Sequence, residues 1–319
     1  MSFKYINPGY ASLLDAEGGI TAAVTAKSKT GVAFYQPDKT QGIDIAAIPK
    51  EFYCKFDFYI GDVPSDKTFE MRIFSPDSSK YHGVHIDKDS SDLELQVYVN
   101  GSRVYYKYYA WSNPSLIKQN FNINPKSINT VWFYARNRTD DSKNDGLFSL
   151  YINGKEIVKY ENQAMYAGSL YPIVIYANKE YSLISNLIIS DTEIDKKEQV
   201  VILPIKNTET DMTAKKDGIY SANAAGQKIL QSVDIASLVE DYGADSEIKG
   251  IAVIGNPAYR TAEGLSQLTA LEQYGGTLKE YGTKEAKTDT AAGVVDGHAV
   301  SMKLTDLAGY KFGWKAGAV

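Results

Sequence analysis

The chain has 319 residues, 44% hydrophobic and 23% charged, with a formal net charge of −5 and one cysteine. Its length predicts two domains that each bury a core, and its composition excludes disorder, collagen and coiled coil. The mild acidity argues against a nucleic-acid footprint or an anionic-membrane binder, and a lone Cys54 excludes an internal disulfide.

No apolar run approaches the roughly 18 residues needed to span a bilayer. Residues 1–8 carry one basic side chain and no apolar signal segment, so synthesis in the cytoplasm is expected, with a virion or release as open destinations. Tyrosine is in excess, and 18 of the 24 fall within residues 1–195. The charged stretch Ser190–Gln199 closes this region, beyond which alanine rises. The predicted domains are therefore 1–195 and 200–319.

In chain order, Phe52–Ile60 alternates with period two. Phe52, Cys54, Phe56, Phe58 and Ile60 share one face, and Tyr53, Lys55, Asp57 and Tyr59 the other. Phe69–Phe74 is a further strand. Leu93–Val99 buries its odd positions and shows Glu94, Gln96 and Tyr98, then meets Asn100-Gly101, the pair favoured in type I′ hairpins. Arg103–Trp111 is the return strand and Val131–Arg138 the next. Leu147–Ile152, Asn153-Gly154 and Lys155–Tyr160 repeat the hairpin device, and Pro172–Ala177 and Leu183–Ser190 close the region. Many short antiparallel strands with polar turns predict an all-β sandwich or barrel.

The second region gives weaker signals. Val200–Ile205, Ala299–Leu304 and Tyr310–Trp314 read as strands, and Glu247–Ile254 as a buried one. Leu265, Leu268 and Leu271, spaced by three within Ala262–Glu272, suit a short helix or a turn beside a strand. A second, smaller, mainly-β domain is expected. No family resemblance carries a function to it.

The strand Phe52–Ile60, the Asn100-Gly101 hairpin, Val131–Arg138 with its Trp132, the Leu150-Tyr-Ile-Asn-Gly-Lys155 hairpin and the closing Ile184-Ser-Asn-Leu-Ile-Ile189 follow one another in a recognisable succession. Over residues 1–195 this resembles the concanavalin A-like lectin/glucanase superfamily, including its laminin-G-like branch. The resemblance implies a jelly-roll sandwich of two antiparallel sheets, with a curved outer face that holds extended carbohydrate.

Motifs for nucleophilic or nucleotide chemistry are missing: there is no Gly-x-Ser-x-Gly elbow, phosphate loop or dinucleotide fingerprint. Cys54 lies on an apolar strand face and reads as core. His82 and His85 point to opposite sides of a strand and read as surface or hydrogen-bonded histidines, not metal ligands. The superfamily's glucanases carry a Glu-x-Asp-x-x-Glu strand, and Glu193, Asp195 and Glu198 match its spacing. Lys196 and Lys197 break the pattern, so a charged linker is the preferred reading. Asp92 and Glu94 share a strand face about 6–7 Å apart, as any solvated strand edge would place them. The turns Asp87–Asp92 and Asp140–Gly146 are rich in oxygen ligands that could hold calcium, but neither fits an EF-hand, and polar hairpin turns capped by Asp and Asn are the preferred reading. No catalytic residue, metal or cofactor is expected.

The aromatic faces carry the most information. Taking Val104, Tyr106, Tyr108 and Ala110 as core-facing leaves Arg103, Tyr105, Lys107, Tyr109 and Trp111 outward. Taking Val131, Phe133 and Ala135 as buried leaves Trp132, Tyr134, Arg136 and Arg138 outward. Tyrosine and tryptophan stack on the apolar face of a sugar ring, and cations and amides bind its hydroxyls. The same residues also reinforce sheets, so both readings stand. The expected function is non-catalytic carbohydrate binding or adhesion. Tyr105, Tyr109, Trp132 and Tyr134 would stack, while Arg103, Lys107 and Arg136 donate hydrogen bonds. The expected partner is a glycan or polysaccharide, with a homo-oligomer as a further option, and neither nucleic acid nor membrane. A phage or prophage virion component and a polysaccharide-degrading enzyme are the alternatives.

Overall fold

Alternation of apolar and polar residues in Phe52–Tyr59 becomes a strand whose Phe52, Cys54, Phe56 and Phe58 are buried, because successive side chains point to opposite faces. The computed structural model describes residues 3–7, 41–42, 51–60, 69–74, 83–88, 92–99, 102–125, 127–136, 138–140, 142–163, 174–177, 183–195, 200–201, 203–215, 219–258, 264–285 and 292–318. They fall into two units, Met1–Val201 and Ile202–Val319.

The first unit contains β1 (Phe3–Asn7), β2 (Gln41–Gly42), β3 (Glu51–Ile60), β4 (Phe69–Phe74), β5 (Gly83–Lys88), β6 (Asp92–Val99) and β7 (Ser102–Ala110). After α1 (Pro114–Phe121) come β8 (Ser127–Arg136), β9 (Gly146–Ile152), β10 (Lys155–Gln163), β11 (Val174–Ala177) and β12 (Leu183–Ser190). They form two six-stranded antiparallel sheets, ordered β1-β12-β3-β8-β9-β10 and β2-β11-β4-β5-β6-β7. One apolar cluster fills the space between them. Phe52, Phe56, Phe133, Phe148 and Leu150 of the first sheet meet Ile86, Leu95 and Val97 of the second. This is the expected jelly-roll sandwich. Cys54 lies in the cluster, and burial pushes its thiol well up, so it is core and not nucleophile.

Local chemistry explains the connections. Asn153 and Gly154 both take positive φ (49° and 79°), as a type I′ turn requires. The Asn153 side chain accepts from the Thr130 N–H at 2.9 Å and donates to the Asn122 carbonyl at 2.6 Å. Asn100 and Gly101 lie outside the described residues. α1 has an Asn113 N-cap, whose side chain accepts from Leu116 N–H, then Pro114 in its first turn and left-handed Asn122 at its end. Ile117 and Phe121, one helical turn apart, enter the core.

β7 corrects the facing expected for it. Tyr98 opposes Arg103, but Val97 opposes Tyr105, so β7 carries one extra residue, Val104. Such a bulge reverses parity from that point onward. Tyr105, Tyr109 and Trp111 pack against the core, whereas Tyr106 and Tyr108 are 41% and 56% exposed.

The second unit contains β13 (Ile205–Thr210), β14 (Thr213–Ala214), β15 (Tyr220–Ser221), β16 (Lys228–Val233), α2 (Ala236–Tyr242), β17 (Glu247–Ala258) and β18 (Gln267–Tyr274). β19 (Thr277–Glu285), β20 (Ala292–Lys303), a 3-10 turn (Leu304–Gly309) and β21 (Tyr310–Gly317) complete it. The main sheet has the order β13-β16-β21-β18-β19, and β17 pairs with β20. The unit is mainly β, but details differ from expectation. The strand expected at Val200–Ile205 begins at Ile205, and Gln267–Glu272 is strand rather than helix. β18 lies between β21 and β19, which pair with it on both sides and outweigh the spacing of its leucines.

Gly313 sits on β21 between Leu230 and Leu271, where a Cβ would stand 1.8 Å from the Ile229 carbonyl oxygen. Backbone cannot yield cheaply there. Gly313→Ala is expected to destabilise this unit by about 2 kcal/mol or more. Thermal unfolding of the variant checks this; an unchanged melting temperature would contradict the close approach.

Candidate functional site

β6 defines the site. Leu93, Leu95 and Val97 point into the core, so Glu94, Gln96 and Tyr98 stand on the outer face of the second sheet. Pairing register aligns His85, Gln96 and Tyr106 in one cross-strand row, which continues by register to Arg72. Asp87, Glu94 and Tyr108 make the next row, and Tyr98 opposes Arg103 in a third.

Hydrogen bonds tie these rows together. The Tyr98 hydroxyl donates to Gln96 Oε1 at 2.6 Å, and Gln96 Nε2 donates to Glu94 Oε2 at 3.1 Å. The Tyr106 hydroxyl donates to Glu94 Oε1 at 3.2 Å. Each contact orients the next, and Glu94 is held from both sides. Desolvation and the adjacent Glu94 carboxylate raise the Tyr106 phenol pKa, so the hydroxyl stays a donor near neutral pH. The Arg103 guanidinium lies 4.4 Å from the centre of the Tyr106 ring, a cation–π contact. His85 Nε2 is 3.8 Å from Asp87 Oδ2. His85 and Gln96 are buried, whereas the rings of Tyr106 and Tyr108, 5.8 Å apart, are exposed. The face thus joins buried polar groups to two accessible rings and a fixed carboxylate.

The residues expected to form one binding surface lie in different places. Of these, Arg103 alone belongs to the face just described. Tyr105 and Tyr109 turn inward, Tyr109 meeting Phe121 edge-on at 5.3 Å. Lys107 shares their side of the sheet and places Nζ 5.6 Å from the Tyr105 ring centre. Trp132 and Tyr134 face outward from the first sheet, but each is only 7% exposed. Trp132 Nε1 donates to the Ile194 carbonyl at 2.8 Å, and the Tyr134 hydroxyl donates to Glu51 at 2.7 Å. Tyr53 lies 4.6 Å from Tyr134, and Tyr151 meets Trp132 edge-on at 5.2 Å. Arg136 Nη2 donates to the Asp145 carbonyl. Desolvation and the Glu51 hydrogen bond raise the Tyr134 phenol, and the Glu156 hydrogen bond pushes Tyr151 up to about 12. These aromatics hold the first sheet together and satisfy their own polar atoms.

Asp57, on the same outer face, accepts from Thr130 Oγ1 at 2.6 Å and Asn186 Nδ2 at 2.5 Å. Desolvation outweighs those bonds and Lys55, and raises its pKa above the ordinary 3.8. A carboxyl raised on folding stabilises fully below its unfolded pKa and loses that contribution as pH climbs through the folded value. Asp57→Asn is therefore expected to gain stability relative to the parent as pH rises from about 3.8 towards 7. Urea unfolding at several pH values checks this; a pH-independent difference would contradict it.

Glu193 and Asp195 are exposed on either side of buried Ile194, on a segment after β12, and Glu198 lies outside the described residues. In the turn 140–146, Asp140 accepts from Ser142 N–H and Oγ, and Asp145 from Thr139 N–H and Oγ1. These carboxylates cap their turn, and the hydrogen bonds lower both pKa values. Residues 89–91 of the other acidic turn, together with His82 and Asp141, lie outside the described residues. No cluster of three or more metal-ligating side chains occurs among the described residues.

No protein-family model and no curated protein matches the chain. By structure it is similar to an endo-β-1,4-glucuronan lyase from the fungus Trichoderma reesei, at 10% identity and a TM-score of 0.41, over 60% of this chain and 96% of that one. It is also similar to sheep galectin-11, at 9% identity and a TM-score of 0.31, over 48% and 98%. A third is the carbohydrate-binding module CBM66 from Bacillus subtilis, at 12% identity and a TM-score of 0.32, over 55% and 91%.

Proposed function

We propose that the first unit binds carbohydrate on the outer face of its second sheet, with Tyr106 and Tyr108 as the stacking platform. The observation that carries this reading is the Glu94 carboxylate, held by the Tyr106 hydroxyl and the Gln96 amide beside two exposed rings. A sugar ring offers an apolar C–H face to the tyrosines and hydroxyl donors to the carboxylate. Pre-formed hydrogen bonds keep that carboxylate in place before the ligand arrives, which lowers the ordering cost of binding. Arg103 supplies a donor at the margin. Trp132, Tyr134 and Arg136 support the first sheet, and Tyr105, Tyr109 and Lys107 support the edge of the second.

A glycan and polysaccharide panel tests the reading, using the parent chain and Tyr108→Ala. Binding by the parent that weakens about tenfold or more in the variant supports it. No binding by the parent to any glycan would sink it.

A second reading is favoured by the row of His85, Gln96 and Tyr106 with Asp87 beside His85. An imidazole near a carboxylate and a phenol kept protonated are groups that move protons during glycosidic-bond cleavage. New chain ends released from a bound polysaccharide, and lost in His85→Ala, would establish it. A bound polysaccharide left uncut leaves binding as the function.

A further inference from the structure

We propose that Lys55 and Asn186 condense into an intramolecular amide that ties β3 to β12, with Asp57 as the assisting acid. This concerns the first sheet and does not depend on the carbohydrate reading.

Register brings the three side chains together. Asp57 opposes Ser185 and Lys55 opposes Ile188, so β12 carries one extra residue between these pairs. Asn186 lies in that bulge with a positive φ of 53°, a conformation that L-residues adopt uncommonly and asparagine more readily than most. Its Nδ2 donates to Asp57 Oδ2 at 2.5 Å, which places the carboxamide on the outer face of the sheet. Lys55 is two residues from Asp57 on β3, hence on the same face, and its charge acts on the Asp57 carboxyl. Across the β3–β12 pair, Lys55 and Asn186 are diagonal neighbours. Such residues are about 7–8 Å apart, within reach of a long side chain such as lysine.

The surroundings suit acyl transfer. Lys55 is 5% exposed and Asn186 7%, and Asn186 Oδ1 is buried without a hydrogen-bond partner. Native structures leave few buried polar atoms idle, and sites of chemistry are one place where they do. Burial favours the uncharged form of an amine, the form that attacks. It also raises the Asp57 pKa, so this carboxyl holds a proton more readily than an exposed one. Thr130 Oγ1 fixes its other oxygen at 2.6 Å.

In the step, Lys55 Nζ attacks Asn186 Cγ. The Nζ–Cγ bond forms, the Cγ–Nδ2 bond breaks and Nδ2 leaves as ammonia. Asp57, whose Oδ2 already touches Nδ2, gives a proton to the departing nitrogen and takes up the one that Nζ sheds. No oxidant or further reactant is consumed, and Asp57 is regenerated. Its proton can then serve the amide oxygen that was idle. The chain has a single cysteine, so this bond would supply a covalent tie that a disulfide cannot.

Intact-mass spectrometry of the denatured full chain, followed by tryptic mapping, tests the proposal. The parent should be lighter than its sequence by one ammonia and yield a branched peptide joining Lys55 to Asn186. Lys55→Arg keeps the charge but lacks the amine and should have its full sequence mass. Asp57→Ala keeps both reacting groups without the acid and should stay largely unlinked. A parent at its full sequence mass overturns the proposal. So does ammonia loss without the branched peptide, which is what cyclisation at Asn100-Gly101 or Asn153-Gly154 would produce. Asp57→Ala linked as completely as the parent overturns the part given to the acid. If either variant fails to fold, the mass and peptide map of the parent still decide.

Discussion

Phe133→Ala should destabilise the first unit by about 3–5 kcal/mol, the range for removing a buried aromatic ring. Phe133 is 1% exposed, meets Phe52 edge-on at 5.6 Å and stacks on Phe148 at 5.8 Å. It therefore joins three neighbouring strands of the first sheet, β3, β8 and β9, on the face that meets the second sheet. No neighbour is free to refill the space, because Phe52 and Phe148 are themselves fully buried. Chemical denaturation checks the figure. A loss below about 1 kcal/mol would mean that the site collapses around the change, contrary to the packing described.

Glu94→Ala should weaken carbohydrate binding by at least about thirtyfold, near 2 kcal/mol. The substitution removes the acceptor and also strands two donors, the Tyr106 hydroxyl and the Gln96 amide. Both then turn to solvent or to each other, and the platform loses its fixed geometry. Because Glu94 is partly exposed on a strand whose inner residues remain intact, the fold should survive. Isothermal titration with the best glycan from the panel measures the effect, and circular dichroism verifies folding. Unchanged affinity in a folded Glu94→Ala would remove the carboxylate from the site.

Much of the fold was legible because strands announce themselves by period two. Phe52–Ile60, Leu93–Val99 and the Asn153-Gly154 hairpin are where the alternation and turn chemistry put them. α1 went unread although Asn113-Pro114 is an N-cap followed by a first-turn proline; its eight residues are short beside the surrounding strands. Part of the site was legible as well, since Glu94, Gln96 and Tyr98 were placed outward on β6. Tyr106 and Tyr108 were not, for a definite reason. A two-residue Asn-Gly hairpin without a bulge would set Val97 against Val104 and turn Tyr105 outward. The extra residue at Val104 sets Val97 against Tyr105 instead, and no local pattern marks it, because tyrosines occupy both parities of β7. Trp132 and Tyr134 do point outward on their strand, as the alternation with Val131, Phe133 and Ala135 predicts. Their burial comes from the segment after β12 and from partners across the sheet, which alternation within one strand cannot report. The tyrosine excess thus divides into rings that hold the sheets together and a smaller exposed pair beside Glu94.

Titration of one bound glycan against the parent, Glu94→Gln and Trp132→Phe tests the assignment of the binding face most directly. Binding on the second sheet predicts parent-like affinity in Trp132→Phe and at least tenfold weaker binding in Glu94→Gln. The reverse pattern, Glu94→Gln unaffected and Trp132→Phe impaired while folded, would place the ligand on the first sheet and contradict this account.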